Sequence, residues 1–162
     1  MDDEPDNLEL LYRTFRRDFR VFKADGVLSA LKILETEGEM AVIISDQRML
    51  IMKGTELLSK TVERFPDTVR ILLSGYTDVE DLVESINSGR VFKYITKPWN
   101  PQDLKAVVHQ AADAYNLIKQ RTKKFRQSNL QAIPRLLAWG LNVEQVAEAL
   151  GLEIEQVRQA AQ

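Results

Sequence analysis

Four features of this sequence combine the residue types that phosphoryl chemistry needs. Asp46 could serve as a nucleophile or a metal ligand, and an acidic run at residues 2–4 adds further carboxylates. Carboxylates that meet at one site repel one another unless a cation lies between them, and oxygen ligands of this kind suit Mg²⁺. Ser74 offers a hydroxyl group and Lys97 a compact positive charge, both suited to a phosphoryl oxygen. Together these residues could support in-line phosphoryl transfer, in which positioning and charge neutralisation provide most of the catalysis.

A parallel sheet would bring these residues together. Strand patterns occupy residues 19–24, 41–44, 69–73 and 91–96. Helical patterns occupy residues 8–19, 25–38, 54–65, 78–88 and 101–124. This alternation predicts an α/β fold with a parallel sheet and helices on both faces. Ligands of such sheets bind at the carboxyl ends of the strands, and Asp46, Ser74 and Lys97 follow three predicted strands.

The composition excludes several other kinds of site. The 162-residue chain has no cysteine, so disulfides, zinc-thiolate sites and thiol catalysis are excluded. Its only histidine is His109, which excludes metal sites with two imidazoles, and we assign it no role. The net charge of -2 gives no general attraction to nucleic acid or to an anionic membrane. Without a long apolar run or a signal peptide, a cytoplasmic protein with no membrane partner is expected.

Four short segments occur in the order and at the spacing of one protein family. They are DDEP at 2–5, ISDQRM at 44–49, LSGYTD at 73–78 and TKPW at 96–99. On these segments the chain resembles the receiver domains of bacterial response regulators, which act in two-component signalling. The likeness covers residues 1–124 and implies a flavodoxin-like fold. It also implies a phosphoacceptor domain rather than an enzyme, with only self-phosphorylation from small phosphodonors and self-dephosphorylation expected.

The resemblance assigns the metal ligands and the phosphoacceptor. Asp46 would accept the phosphoryl group and would also bind Mg²⁺. Asp3 would bind Mg²⁺ directly, Asp2 mostly through water, and Arg48 through its backbone carbonyl. The phosphoryl donor would be a histidine kinase or a phosphotransfer protein.

The resemblance also assigns the residues that respond to the phosphoryl group. Ser74 would donate to a phosphoryl oxygen, Lys97 would pair with it, and Tyr94 would turn inward on activation. The Lys97–Pro98 bond is expected to be cis, which X-Pro bonds populate readily. Phosphorylation would then reshape the face made by the fourth predicted helix (78–88), the last predicted strand (91–96) and the long fifth helix (101–124), which could also form a homodimer. Tyr94 could instead be an ordinary core residue, and the acids at 2–4 a solvated terminus.

The chain departs from the family pattern in two places. Leu50 stands where the family usually has proline, which would loosen the loop after Asp46. The family's first strand ends at the paired acids, whereas here Met1 directly precedes Asp2. The first strand is therefore expected to be missing or truncated. We favour a true start upstream, the alternatives being a rearranged, oligomeric or inactive form.

A second class of protein, the aspartate-nucleophile phosphohydrolases, uses similar residues on a parallel sheet. These enzymes need a second acid two residues after the nucleophile, to protonate the leaving group. Arg48 occupies that position, which makes a hydrolase a remote alternative.

Residues 125–162 are predicted to form a small helical tail, with a domain boundary near Lys124. Its predicted helices at 136–150 and 153–161 meet at Gly151, as in a helix-turn-helix, where Ala147 and Val157 would be the small and the buried residue. A transcription factor that binds DNA through this tail is thus an alternative. The tail, however, carries only Arg126, Arg135 and Arg158 against Glu144, Glu148, Glu153 and Glu155, a net charge of -1. Because DNA binding requires a basic surface, a protein-interaction module is favoured.

Overall fold

The computed structural model describes residues 1–75, 83–84, 86–87 and 91–161. The chain divides into two compact units, Met1–Asn116 and Leu117–Gln162. The predicted helix at 78–88 lies outside the described residues, apart from 83–84 and 86–87, which are helical. No helix in the described ranges is both long enough and apolar enough to cross a lipid bilayer.

The first unit contains a parallel sheet of three strands in the order β1-β2-β3. The strands are β1 (Val42–Asp46), β2 (Val69–Ser74) and β3 (Lys93–Thr96). All residues of the central strand β2 are buried, as its continuous apolar run predicts. The register pairs Asp46 with Leu73 and Ser74 with Thr96, so the carboxyl ends of the strands lie side by side.

Six helices whose bounds the structure describes accompany the strands, besides the helical residues 83–84 and 86–87. They are α1 (Pro5–Phe15), α2 (Val27–Glu37), α3 (Gly54–Arg64), α4 (Pro101–Ala138), α5 (Val143–Leu150) and α6 (Ile154–Ala160). The helix ends follow local chemistry: the Asn100 side chain accepts the amide hydrogen of Gln102 at the start of α4. Asn142 and Gln145 form a capping box at α5, which Gly151 ends in the left-handed conformation.

The core of the first unit covers both faces of the sheet. On one face, Ile71 of β2 packs in a cluster with Phe15 of α1 and Leu104 of α4. On the other face, Leu72 packs against Leu58 of α3, and neither is exposed to solvent. Burying a leucine contributes about 2–3 kcal/mol, so these contacts hold the strands at fixed positions. The predicted α/β architecture with a parallel sheet is confirmed.

The second unit has a core of its own. Ile133 of α4, Val146 and Ala147 of α5, and Val157 of α6 form its buried cluster. Val157 is therefore buried, as the sequence predicted, and Ala147, which was predicted only as the small residue, is buried as well. This helical C-terminal part confirms the predicted helical tail, while the position of the domain boundary near Lys124 stays a prediction.

Three element predictions were wrong. Residues 20–24 are not a strand, because the only backbone bond that joins them to another described segment runs from the Asp2 amide to the Ala24 carbonyl, 3.1 Å. The last helix of the first unit does not end near Lys124 but continues to Ala138, with Pro134 inside it. The helix predicted at 136–150 is interrupted before Val143, where Gly140 has a φ of 91°.

Met1 lies beside the edge of β1 that is opposite β2. Its amino group donates to the Ile44 carbonyl at 2.8 Å, and the Asp46 amide donates to the Met1 carbonyl at 3.0 Å. Among the described residues, none before Val42 is assigned to a strand. Met1 and Asp2 nevertheless make backbone bonds to β1 on one side and to Ala24 on the other, which fixes the acidic residues next to the strand ends.

Candidate functional site

Three of the predicted site residues meet at the carboxyl edge of the sheet. Asp46 is the last residue of β1, Ser74 is the last residue of β2, and Lys97 directly follows β3. The Lys97 amide donates to the Ser74 carbonyl at 2.8 Å, which ties the end of β3 to the end of β2. The Lys97–Pro98 peptide bond is cis.

A direct ion pair joins the two charged members of this group. Lys97 Nζ lies 2.8 Å from Asp46 Oδ1, and the Asp46 side chain is only 5% exposed. Burial raises the pKa of Asp46, although the Lys97 hydrogen bond and charge act against this rise. Burial alone would lower the pKa of Lys97, but its hydrogen bond to Asp46 and the charges of Asp46, Asp2 and Glu4 raise it overall. The Asp46 carboxylate is therefore largely removed from water and paired with the ammonium group of Lys97.

Three carboxylates converge beside this ion pair. One oxygen each from Asp2, Asp3 and Asp46 lie within 4.8 Å of one another. Asp2 is fully buried: its Oδ1 accepts the Glu4 amide hydrogen at 2.9 Å, and its Oδ2 lies 3.7 Å from Lys97 Nζ. This arrangement concentrates negative charge that one lysine offsets only in part.

Two buried oxygen atoms at this edge lack a hydrogen-bond partner in the described residues, Asp2 Oδ2 and Ser74 Oγ. A buried polar atom without a partner costs about 1–3 kcal/mol. A divalent cation would satisfy Asp2, and an oxyanion would accept the hydroxyl hydrogen of Ser74. The oxygen-only donor set fits Mg²⁺, which binds one or two carboxylates and keeps several waters.

The amino group of Met1 borders the same cluster. Its burial lowers its pKa from 8.0 to about 6, against the opposing charges of Asp2 and Asp46. The backbone bonds to Ile44 and Asp46 thus fix the position of Met1, even though this position buries its basic amino group.

Two residues that support Asp46, Gln47 and Gly54, were not predicted from the sequence. Gln47 is 1% exposed, and its side chain accepts the Thr55 amide hydrogen at 3.0 Å and donates to Thr55 Oγ1 at 3.3 Å. A Cβ atom at Gly54 would lie 2.2 Å from the Asp46 carbonyl oxygen, so only glycine fits there. A glycine at the start of a predicted helix was a signal in the sequence that could have indicated this close contact. No feature of the sequence indicated a role for Gln47.

The structure places the remaining predicted residues around this centre. Arg48 follows Gln47 in the loop between β1 and α3, where Leu50 and Ile51 are 77% and 74% exposed. Ile51 has a φ of 81°, which is rare for a β-branched residue. Tyr94 lies on β3 opposite Leu72 and is 43% exposed, so it is not a core residue.

His109 lies apart from the site residues, on α4. Its Nε2 lies 3.2 Å from Asp18 Oδ2, which also forms a salt bridge with Lys105 at 3.0 Å.

Comparisons with known proteins agree with this geometry. Residues 1–109 match the family described as the response regulator receiver domain. The hydrogenase transcriptional regulatory protein HoxA of Cupriavidus necator is 33% identical over 171 residues, which cover 99% of this chain and 35% of that protein. The chain thus spans about a third of the length of this relative.

Several solved structures resemble this chain. The crystal structure of an adenylate cyclase from Rhodopirellula baltica is 30% identical, with a TM-score of 0.74 over 77% of this chain and 93% of that chain. A response regulator receiver domain protein from Clostridium thermocellum is 26% identical, with a TM-score of 0.67 over 72% of this chain and 94% of that one. The predicted flavodoxin-like receiver fold is thereby confirmed.

Proposed function

Because this chain belongs to the response regulator receiver domain family, we propose that it accepts a phosphoryl group on Asp46 from a histidine kinase or a phosphotransfer protein. The observation that carries this proposal is the 2.8 Å pairing of the buried Asp46 carboxylate with Lys97. The acids Asp2 and Asp3 beside this pair supply the ligands that a phosphoryl-transfer cation needs.

In the proposed reaction, a carboxylate oxygen of Asp46 attacks phosphorus in line with the donor. The bond from phosphorus to the donor nitrogen or oxygen breaks, and the donor leaves with the bonding electrons. Lys97 stays paired with the oxygens as negative charge moves from the carboxylate to the phosphoryl group. Ser74 donates its hydroxyl hydrogen to a phosphoryl oxygen, which gives its buried Oγ the partner that the described residues do not provide.

The proposed cofactor is Mg²⁺, held by Asp3 and Asp46, by Asp2 mostly through water, and by the Arg48 carbonyl. When bound, the ion supplies positive charge to the phosphoryl oxygens. The buried, partnerless Asp2 Oδ2 supports this assignment because water-bridged coordination would supply its missing hydrogen bond.

Phosphorylation adds about -1.5 to -2 charges at Asp46. We expect Ser74 to move toward this charge and the half-exposed Tyr94 to turn inward. The face that includes β3 and α4 would change shape, and a homodimer through this face is possible. Water would later remove the phosphoryl group, so the domain would act as a timed switch rather than as an enzyme on other molecules.

Phosphoryl uptake from a small donor tests the assignment of Asp46. After incubation with acetyl phosphate and magnesium, the intact mass should increase by one phosphoryl group. Asp46→Asn keeps the shape but removes the nucleophile, and this variant should gain nothing. Asp113→Asn, at an exposed position of α4, is the matched control and should behave as the unsubstituted chain. Uptake that persists in Asp46→Asn would refute the assignment.

For the tail, we propose a protein-interaction module rather than a DNA-binding domain. HoxA is named a transcriptional regulatory protein, which gives the DNA-binding alternative its support. Against it, α6 carries an exposed Glu155 next to Arg158, and these two side chains lie 3.8 Å apart as an ion pair. The exposed Trp139, 69% accessible, is a better candidate for contact with a protein partner.

A further inference from the structure

Part of the long helix α4 is exposed on every side among the described residues. Each residue from 120 to 128 is exposed, although this stretch belongs to a continuous helix of 38 residues. Large apolar side chains in and next to this stretch are exposed as well, namely Leu117, Ile118 and Phe125. Exposed apolar side chains that cluster on one face mark a contact with another molecule, so their arrangement on the helix decides what they mean.

Helical spacing places these apolar residues on one face together with two basic residues. Leu117, Ile118, Arg121, Lys124 and Phe125 stand at positions i, i+1, i+4, i+7 and i+8, which lie on one side of an α-helix. All five residues are exposed, and Phe125 is 68% accessible. We call these five residues the 117–125 face. It combines apolar contact area with positive charge.

The positive charge of the 117–125 face is not neutralised nearby. Between Asp113 and Glu144 the sequence contains no acidic residue. Among the described residues, Arg121 and Lys124 take part in no ion pair. These two bases are three positions apart and therefore neighbours on the helix surface, where like charges repel. An acidic partner would remove this repulsion.

Charge and apolar contact together decide between the molecules that could cover this face. A second copy packed along the same face would set bases against bases, because residues 114–143 contain no acid. Nucleic-acid phosphates would pair with the bases but would leave Ile118 and Phe125 without apolar contacts. An anionic membrane would draw Arg121 toward the acyl chains, since it lies between the apolar residues of the face.

We propose that the 117–125 face binds an acidic amphipathic helix of a partner protein. Apolar side chains of that helix pack between Ile118 and Phe125, which lie about two turns apart. Its carboxylates pair with Arg121 and Lys124, and the adjacent apolar contacts reduce the screening of these pairs by salt. The proposal does not depend on phosphoryl transfer at Asp46. It rests on the protein-interaction role proposed for the tail and names the chemistry of one partner.

Binding of a model helix to the full chain tests this proposal. The probe is a fluorescent peptide three heptads long, with leucine along its apolar stripe and glutamate on both sides. One control peptide has lysine in place of glutamate, and the other has serine in place of leucine. Fluorescence anisotropy should show at least about tenfold tighter binding of the acidic leucine peptide than of either control. Equal binding of the three peptides, or no binding up to about 100 µM, would overturn the proposal.

Apolar substitutions locate the contact on the face. Ile118→Ser with Phe125→Ser should weaken binding of the acidic peptide about tenfold, because both exposed apolar contacts are lost. Leu10→Ser with Leu28→Ser is the matched control, since these residues are also exposed, on α1 and α2. It should leave the affinity unchanged. Equal effects of the two pairs would argue against the 117–125 face.

Charge reversal tests the ion pairs in the same way. Arg121→Glu with Lys124→Glu should weaken binding of the acidic peptide at least about tenfold and should let the lysine peptide bind instead. Lys32→Glu with Lys60→Glu changes the total charge by the same amount at exposed positions of α2 and α3. A similar loss in this control pair would show a general charge effect and refute a docking face.

The remaining arms identify a different occupant. Vesicles of phosphatidylglycerol and phosphatidylcholine, or a DNA duplex, that bind the 117–125 face more tightly than the acidic peptide would replace the protein partner. Sedimentation that shows a dimer, dissociated by Phe125→Ser, would assign the face to a second copy. Peptide binding that Trp139→Ser abolishes and the face variants do not would overturn this surface, while the interaction role of the tail would stand.

Discussion

At the scale of single residues, the site depends on the burial of the Asp46 carboxylate. Burial raises the pKa of Asp46, and the Lys97 hydrogen bond and charge counteract that effect. The deprotonated carboxylate is the nucleophile in the proposed reaction, so Lys97 has a role before any phosphoryl group arrives. Its charge favours the ionised form of Asp46.

Lys97→Met should therefore raise the pKa of Asp46 further, because only the lysine contributions that lower this pKa are removed. The acid limb of phosphoryl uptake should shift to higher pH. NMR titration of a carbon-labelled Asp46 carboxyl group, without magnesium, would measure the shift directly. Lys105→Met is the control, since Lys105 pairs with the distant Asp18. An Asp46 titration that is unchanged or shifted to lower pH in Lys97→Met would contradict this account.

Ile51 is a second residue whose local conformation has a measurable consequence. Its φ of 81° places a β-branched side chain in the left-handed region, although 74% of the residue is exposed and little packing compensates. Asparagine tolerates this conformation better, so Ile51→Asn should stabilise the fold by about 1 kcal/mol. Urea unfolding would measure the gain. Leu50→Asn, at the equally exposed neighbour without a positive φ, should change stability little, and a similar gain there would exclude strain as the cause.

The sequence predicted Asp46, Ser74 and Lys97 because each follows a strand whose pattern is unambiguous. It could not predict that Asp2 Oδ2 and Ser74 Oγ lack partners, since this depends on distances that no spacing determines. Gln47 was missed for a similar reason. A glutamine after a strand is common, and only its burial between two elements reveals its role.

At the scale of elements, β1, β2, α2 and α3 were predicted to within two residues at each end. Residues 20–24 show why the alternation of apolar and polar residues was insufficient to predict a strand. Alternation indicates which face each side chain occupies, but it does not show whether a neighbouring strand forms backbone hydrogen bonds with the segment. The end of α4 shows a second limit. The change in composition at Phe125 predicts the end of the helix near Lys124, yet no glycine interrupts the helix before Gly140, whose positive φ follows its end.

The junction of β1 with α3 depends on Gln47, which bonds to Thr55 through both side-chain atoms. Gln47→Ala would leave the buried amide of Thr55 without that acceptor, so the free energy of unfolding should fall by about 2 kcal/mol. Magnesium affinity should fall as well, since the loop that carries the Arg48 carbonyl loses its anchor. Denaturant unfolding and calorimetry would measure both changes. Gln102→Ala, at an exposed position of α4, is the control, and an equal loss there would argue against a specific role.

At the scale of the whole molecule, the described residues of the first unit form a site with identifiable chemistry, whereas those of the second unit form a helical core with an exposed surface. Residues 125–162 have three basic and four acidic residues, too few positive charges to neutralise DNA phosphates. We therefore expect no duplex binding above the non-specific level at physiological salt, with or without the phosphoryl mimic beryllofluoride. Fluorescence anisotropy with a pool of genomic fragments would measure it.

The variant Glu153→Lys with Glu155→Lys serves as the positive control for that experiment. It reverses two charges at the candidate recognition helix and should bind duplexes in a salt-dependent manner. Selective, salt-sensitive binding by the unsubstituted chain that Arg158→Ala abolishes would instead identify a transcription factor.

The position of the Met1 amino group makes it a probe of motion at the edge of the sheet. With a pKa of about 6 it is mostly unprotonated at neutral pH, the form that reacts with acylating reagents. The hydrogen bond of this amino group to the Ile44 carbonyl nonetheless protects the amino group from the reagent. The rate of N-terminal acylation would then report how often residues 1–3 detach from β1, a local opening that global unfolding curves do not resolve.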